Sequence, residues 1–219
     1  MENKPELKKP EQLADGDVLL AKAKANKGKL MGALVFCIVI VVAAFAWFFI
    51  NQSGSRKADD LAGKADIEVN DSVAMELYKE AAKAGHKSGN RAKLEVAIRY
   101  YGQEKYEEAL NYLKDASIDD KIVAAGADCL KGDCYVNLDR LDEAVKAYKS
   151  AISTADENPD IVPLVLIKLA NVYRAQQNYK AEYEAYKTIV EKYPSYQYAQ
   201  GQQTDLRKYM ERARIAAGE

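Results

Sequence analysis

The sequence predicts an all-α chain in which one apolar helix precedes a stack of helical hairpins. Three observations carry this. Residues 30–50 form an uncharged apolar run, and related segments then recur at spacings of 35 and 38 residues. Gly and Pro number only 12 and 5 in 219 residues, while 30% of the chain is charged, the composition of a helical protein. Acidic and basic residues balance to a net charge of -1, so there is no basic footprint for nucleic acid.

Residues 1–29 divide into two parts. The first 16 place Pro5, Pro10 and Gly16 among alternating charges and read as a disordered tail. Residues 17–29 read as a short helix leading into the apolar run.

Residues 30–50, LMGALVFCIVIVVAAFAWFFI, read as a transmembrane helix. At about 1.5 Å per residue they span roughly 30 Å, the thickness of the hydrocarbon core. Trp47, Phe48 and Phe49 close the run as an interfacial belt. A cleavable signal peptide fits less well, because a long polar stretch precedes the run and the run exceeds an ordinary signal core. A lipid-modified Cys37 would need small residues before it, and Val35 and Phe36 are not small. Lys22, Lys24, Lys27 and Lys29 outnumber Arg56 and Lys57, so the positive-inside rule expects a cytoplasmic tail and the remainder of the chain outside. Residues 51–57, with Ser53-Gly54-Ser55, are expected to be a flexible link to a domain over 58–219.

Periodicity organises that domain. LEVAIRYYGQEKYEEALNYLKDA begins at Leu94, LKGDCYVNLDRLDEAVKAYKSA at Leu130 and IKLANVYRAQQNYKAEYEAYKTI at Ile167. Tyr100, Tyr135 and Tyr173 stand 35 and 38 residues apart. Ala109, Ala144 and Glu182 keep those intervals, as do Leu113, Tyr148 and Tyr186. The apolar residues Tyr106, Ala109, Leu110, Leu113 and Ala116 form one helical stripe. One hairpin cannot bury such a stripe alone, so hairpins stack and share a core. A simple four- or five-helix bundle would not need the recurrent interval.

A spacing near 34 residues, with these motifs, resembles the tetratricopeptide repeat (TPR) family. The small residues Ala97, Gly132 and Ala170 match the position where the family's two helices pack closely, and Pro194 matches the proline that ends a repeat. The loop with Pro159 and Pro163 is expected to break the chain before the third unit. A degenerate first unit is expected from residues 57–69 followed by Ala74, Tyr78 and Ala81. Leu206, Tyr209, Met210 and Ala213 recur at helical spacing, with Thr204 as the cap, and read as a helix closing the stack. The family's tryptophan is absent, and Glu182 stands where a small residue is expected. The expected fold is therefore a transmembrane helix followed by a TPR α-solenoid of about three clear repeats, a degenerate first unit and a C-terminal capping helix.

Residues able to do chemistry are sparse. His86 is the single histidine and lies in a Lys- and Gly-rich turn. No Gly-rich phosphate loop or GxSxG elbow occurs, and residues 156–160 (DENPD) lack calcium-loop spacing and read as a turn. Cys129 and Cys134 are five apart on one expected helix, which turns their side chains about 140° from each other. They read as small buried residues. No enzyme, metal, cofactor or small-molecule substrate is expected.

The resemblance implies a groove lined by the first helix of each repeat. Its positions fall on Arg91, Leu94, Ile98 and Tyr101 in the first unit, and on Cys129, Asp133 and Val136 in the second. In the third they fall on Leu164, Ile167, Asn171 and Arg174. The Lys, Asn and Arg clamp with which some family members hold a C-terminal carboxylate is not matched. The mixed, rather apolar lining suits an amphipathic helix or an unfolded segment; interhelical core is the alternative for each residue, and an equal one for Leu94, Ile98 and Ile167.

The layout also resembles TPR proteins of bacterial inner membranes, including the YfgM-like ancillary subunit group of the Sec translocon. That resemblance implies an inner-membrane protein with periplasmic repeats, a non-enzymatic scaffold whose partners are translocon subunits, periplasmic chaperones or client polypeptides. Two alternatives stay open: an N-anchored receptor with cytosolic repeats that binds chaperones or targeting sequences, and a structural envelope-assembly factor. Unpaired Cys129 and Cys134 suit the cytosolic alternative.

Overall fold

The computed structural model describes residues 27–84, 87–196 and 206–218. Those residues form nine helices and no strand: α1 (Lys27–Ile67), α2 (Asp71–Ala82), α3 (Lys87–Gly102), α4 (Tyr106–Lys114), α5 (Lys121–Asn137), α6 (Leu141–Ala155), α7 (Ile161–Ala175), α8 (Tyr179–Lys192) and α9 (Leu206–Ala216). Residues 1–26 of the tail expected over 1–29, the turn at His86 and the cap at Thr204 lie outside the described residues. The chain divides between Ser53 and Gly54 into two compact units.

In the first unit, α1 is long and apolar enough to cross a membrane, and its apolar window is exposed. Phe36, Trp47 and Ile50 are 66%, 67% and 74% exposed. The expected flexible link is corrected here: residues 51–57 are helical, within the unbroken span of α1. A Gly or Ser inside a helix costs only about 1 kcal/mol or less. The aliphatic run before the link and the Ala- and Lys-containing run after it both favour continuing the backbone hydrogen bonds.

The second unit is a stack of hairpins. The C-terminal part of α1 pairs with α2 as the degenerate first unit, burying Ala62 and Ala65 against Ala74 and Tyr78. The three clear repeats are α3–α4, α5–α6 and α7–α8, with α9 packed on α8. From α2 onward each helix packs mainly on its chain neighbours, while α5 also touches α3 and α7. The first helices thus form a row. Backbone polar groups at several helix starts are met locally: Asn70 accepts from Ser72 and Val73, and Asp120 accepts from Ile122 and Val123.

The sequence period reappears in the backbone. Glu104, Asp139 and Gln177 turn the three hairpins with φ of 60°, 57° and 57°. In each turn the next residue's N–H closes on the recurrent tyrosine: Lys105 on Tyr100 O at 2.9 Å, Arg140 on Tyr135 O at 2.8 Å and Asn178 on Tyr173 O at 2.8 Å. The small residues do what close packing requires. Ala97 and Ala170 are fully buried, and a Cβ on Gly132 would overlap the Tyr148 ring.

Two boundaries differ from expectation. Pro163 lies inside α7, where its missing N–H belongs to the first turn and has no intrahelical acceptor anyway. Ala116 falls beyond the end of α4 at Lys114, so the stripe stops at Leu113. Pro159 does stand in the interrepeat turn, where the Asn158 side chain accepts from the N–H groups of Asp160 and Ile161 at 3.0 and 3.1 Å.

Candidate functional site

Three hairpins bring their first helices together around a cleft of about 300 Å³. Tyr101 reaches it from α3, Asp133 and Val136 from α5, and Asn171 from α7. These four of the expected groove residues therefore share one site. The helical period explains the convergence. Asp133 and Asn171 each follow the small residue of their own first helix, so both occupy the same register position in adjacent hairpins.

The floor of the cleft is a closed polar cluster. Lys168 Nζ donates to both Asp133 carboxylate oxygens, at 2.8 and 2.9 Å, and the Tyr148 hydroxyl donates to Asp133 Oδ1 at 2.6 Å. Burial alone would lower the Lys168 pKa. The hydrogen bond and charge of Asp133 outweigh it, and the ammonium stays protonated above the usual lysine range. Burial, then the Asp133 carboxylate, pushes the Tyr148 hydroxyl far above the phenol range, so it remains a donor. The Asn137 amide donates to the backbone oxygen of Asp133 at 2.8 Å. Around this cluster Val136, Leu141, Val172 and Ala175 supply apolar walls.

The other expected groove residues lie elsewhere. Arg91 and Leu94 border a second cleft, of about 160 Å³, against Ile118 and Val123. Arg91 also places one guanidinium nitrogen 3.0 Å from both oxygens of Asp66. The Tyr78 hydroxyl and then Arg91, outweighing partial burial, hold that carboxyl below the usual carboxylate range. Ile98 and Leu164 are both 46% exposed, and Arg174 is exposed on α7. Ile167 and Cys129 pack, half-buried, against the core of the last two repeats.

Cys129 and Cys134 are unbridged on α5. Burial, reinforced by the Asp133 charge, pushes their thiols up to about 11 and about 12. Both are therefore neutral thiols near pH 7 and poor nucleophiles. Among the described residues, no three His, Cys, Asp or Glu side chains come together to hold a metal ion.

Lys168, Tyr148, Asn137, Leu141, Val172 and Ala175 complete the cleft and were not anticipated as site residues. Lys168 follows Asp133 by 35 residues, three short of the 38 that separate the second and third units, so register alone does not mark it.

The family comparison agrees with this architecture. The family model for a tetratricopeptide repeat-like domain matches residues 61–174, more than half of the chain. No curated protein matches the sequence. Among solved structures, the crystal structure of MamA aligns with a TM-score of 0.49 and 20% identity, covering 75% of this chain and 94% of that one.

Proposed function

The chain belongs to the tetratricopeptide repeat-like domain family, and on that premise we propose that it is a membrane-tethered scaffold that binds polypeptide in the cleft between α3, α5 and α7. The fold is one that binds protein partners. The observation that carries the specific reading is the cleft itself, which gathers side chains from the first helices of three consecutive hairpins. An apolar wall with a few placed polar groups is the usual composition of a recognition site. This function needs no catalytic step.

The tether in this proposal is the apolar part of α1, whose side chains are bare in the isolated chain. The lysines before it outnumber the basic residues just after it, which favours a cytoplasmic N-terminus and periplasmic repeats. In that compartment the partners would be emerging envelope proteins, periplasmic chaperones or subunits of the Sec translocon. The free thiols would favour cytosolic repeats and a chaperone or targeting-sequence receptor. Their raised pKa weakens that objection to the periplasm, because neutral buried thiols oxidise slowly.

Topology is tested with Ser153→Cys, an exposed position, in a background where Cys37, Cys129 and Cys134 are alanine. A membrane-impermeant maleimide should label intact spheroplasts. Labelling only after lysis would remove the periplasmic reading and leave the cytosolic receptor in its place. Polypeptide binding is tested by a photoreactive side chain at Val136, which should crosslink protein partners that the same group at exposed Lys146, outside the cleft, does not.

A further inference from the structure

The cleft has two full charges in its floor and offers neither to a ligand. Both oxygens of Asp133 are occupied by Lys168, and Oδ1 also accepts from Tyr148. Lys168 is the cation of the cleft lining, and its ammonium faces that carboxylate. The side chains of Asp133 and Lys168 are only 18% and 34% exposed, so water screens the pair poorly. A carboxylate entering the cleft would have to take Lys168 from Asp133, and an ammonium would have to take Asp133 from Lys168. Either exchange leaves one partly buried charge without its counter-ion, which is strongly unfavourable.

What remains for a ligand is neutral. Val136, Leu141, Val172 and Ala175 offer apolar surface, and the exposed Asn171 amide can both donate to and accept from a peptide bond. A volume of about 300 Å³ lies at the lower limit for a drug-sized ligand, and suits one bulky side chain with its adjoining backbone.

We propose that the cleft selects an uncharged, extended polypeptide segment presenting one bulky apolar or aromatic side chain, and that the Asp133–Lys168 pair sets this selectivity by cancelling its own charge. The proposal rests on the polypeptide-binding reading above and adds the chemistry of the segment. It also assigns Asp133 and Lys168 a role distinct from holding the hairpins together. Neutralising either residue alone gives the cleft a net charge. Asp133→Asn leaves Lys168 as a free cation, and Lys168→Met leaves Asp133 as a free anion.

The test measures fluorescence anisotropy with the full chain in detergent micelles. Three labelled 12-residue peptides of Ala, Ser and Gly differ only in a central Phe, Glu or Lys. The native chain should bind the Phe peptide at least about tenfold more tightly than the other two, a difference of about 1.4 kcal/mol. Asp133→Asn should tighten binding of the Glu peptide selectively, and Lys168→Met that of the Lys peptide. The double variant, neutral again, should return to the native ranking, which a merely structural pair would not produce. Equal binding of all three peptides, or one ranking shared by all four proteins, overturns the selectivity and leaves the polypeptide-binding reading standing. Binding of none of the peptides by the folded native chain overturns both.

Discussion

Glu182 and Arg212 meet at 2.7 Å, with the Glu182 side chain 1% exposed and Arg212 reaching it from α9. The two preceding repeats carry alanine, Ala109 and Ala144, at the position Glu182 occupies, and both are fully buried. A carboxylate thus replaces a methyl group in the one clear repeat followed by the capping helix. The same helix stacks Tyr209 on Tyr186, with ring centroids 5.7 Å apart, and carries Arg212 over the Tyr209 ring at 5.1 Å. The second carboxylate oxygen, Oε2, is buried without a hydrogen-bond partner among the described residues.

Removing Arg212 should therefore hurt more than removing Glu182. Arg212→Ala leaves a buried charge uncompensated and is expected to cost about 3 kcal/mol. Glu182→Ala restores the residue found in the other repeats, and the double variant should recover most of the loss. Urea unfolding of the full chain in detergent, with amide exchange across α9, measures both effects. A double variant no more stable than Arg212→Ala alone would show that the ion pair is not the reason.

Two glycines on α5 should respond oppositely to the same substitution. At Gly132 a Cβ overlaps the Tyr148 ring, which its hydrogen bond to Asp133 holds in place. Gly132→Ala should cost about 1–2 kcal/mol, overpacking outweighing the gain in helix propensity. At Gly126 a Cβ meets nothing within 4 Å, so Gly126→Ala should gain about 0.5–1 kcal/mol. Thermal melts of the two variants at one protein concentration decide the signs.

The hairpin turns offer a stabilising series. Glu104, Asp139 and Gln177 occupy the left-handed region without being glycine. Relief of that strain is worth about 1 kcal/mol, partly offset by the freer unfolded glycine chain. Glu104→Gly and Gln177→Gly should each gain up to about 1 kcal/mol, and Asp139→Gly less, because Asp tolerates this conformation better. The denaturation midpoints should rise in that order.

Alkaline pH should weaken the fold through α5. The Cys129 and Cys134 thiols are raised from an ordinary value of 9.0 to about 11 and about 12. The folded state then keeps protons that the unfolded state has lost, so stability falls as pH rises. Their contribution is fully present below pH about 9 and disappears through the 9–12 window, at up to about 1.4 kcal/mol per pH unit for each thiol. The raised Tyr148 hydroxyl acts in the same direction. Urea midpoints at pH 8.5 and 10.5 should fall less in a Cys129→Ala, Cys134→Ala variant than in the native chain.

Much of this architecture was legible because repeats advertise themselves. Tyr100, Tyr135 and Tyr173 set the interval, and the turns at Glu104, Asp139 and Gln177 obey it without carrying the glycine that would have marked them. Glu182 could be seen as an intruder, but its remedy could not. Arg212 belongs to a helix outside the repeat pattern, so no register relates the two residues. The cleft was half legible. Asp133 and Asn171 were reachable from register, whereas Lys168 looked like one more solvated charge until packing put it on Asp133. The continuity of α1 through Ser53-Gly54-Ser55 was hidden by residue types that favour turns in isolation.

The ties between successive hairpins have a kinetic consequence. Asp133–Lys168, Glu107–Arg140 and Asp142–Gln176 join residues separated by 35, 33 and 34 positions. Few contacts must wait for a distant part of the chain, so the entropy of closing long loops never accumulates. A chain delivered one end first can fasten each hairpin about 35 residues after the previous one has emerged. The solenoid can thus assemble at the pace of its own delivery, with only its leading hairpin exposed at any moment.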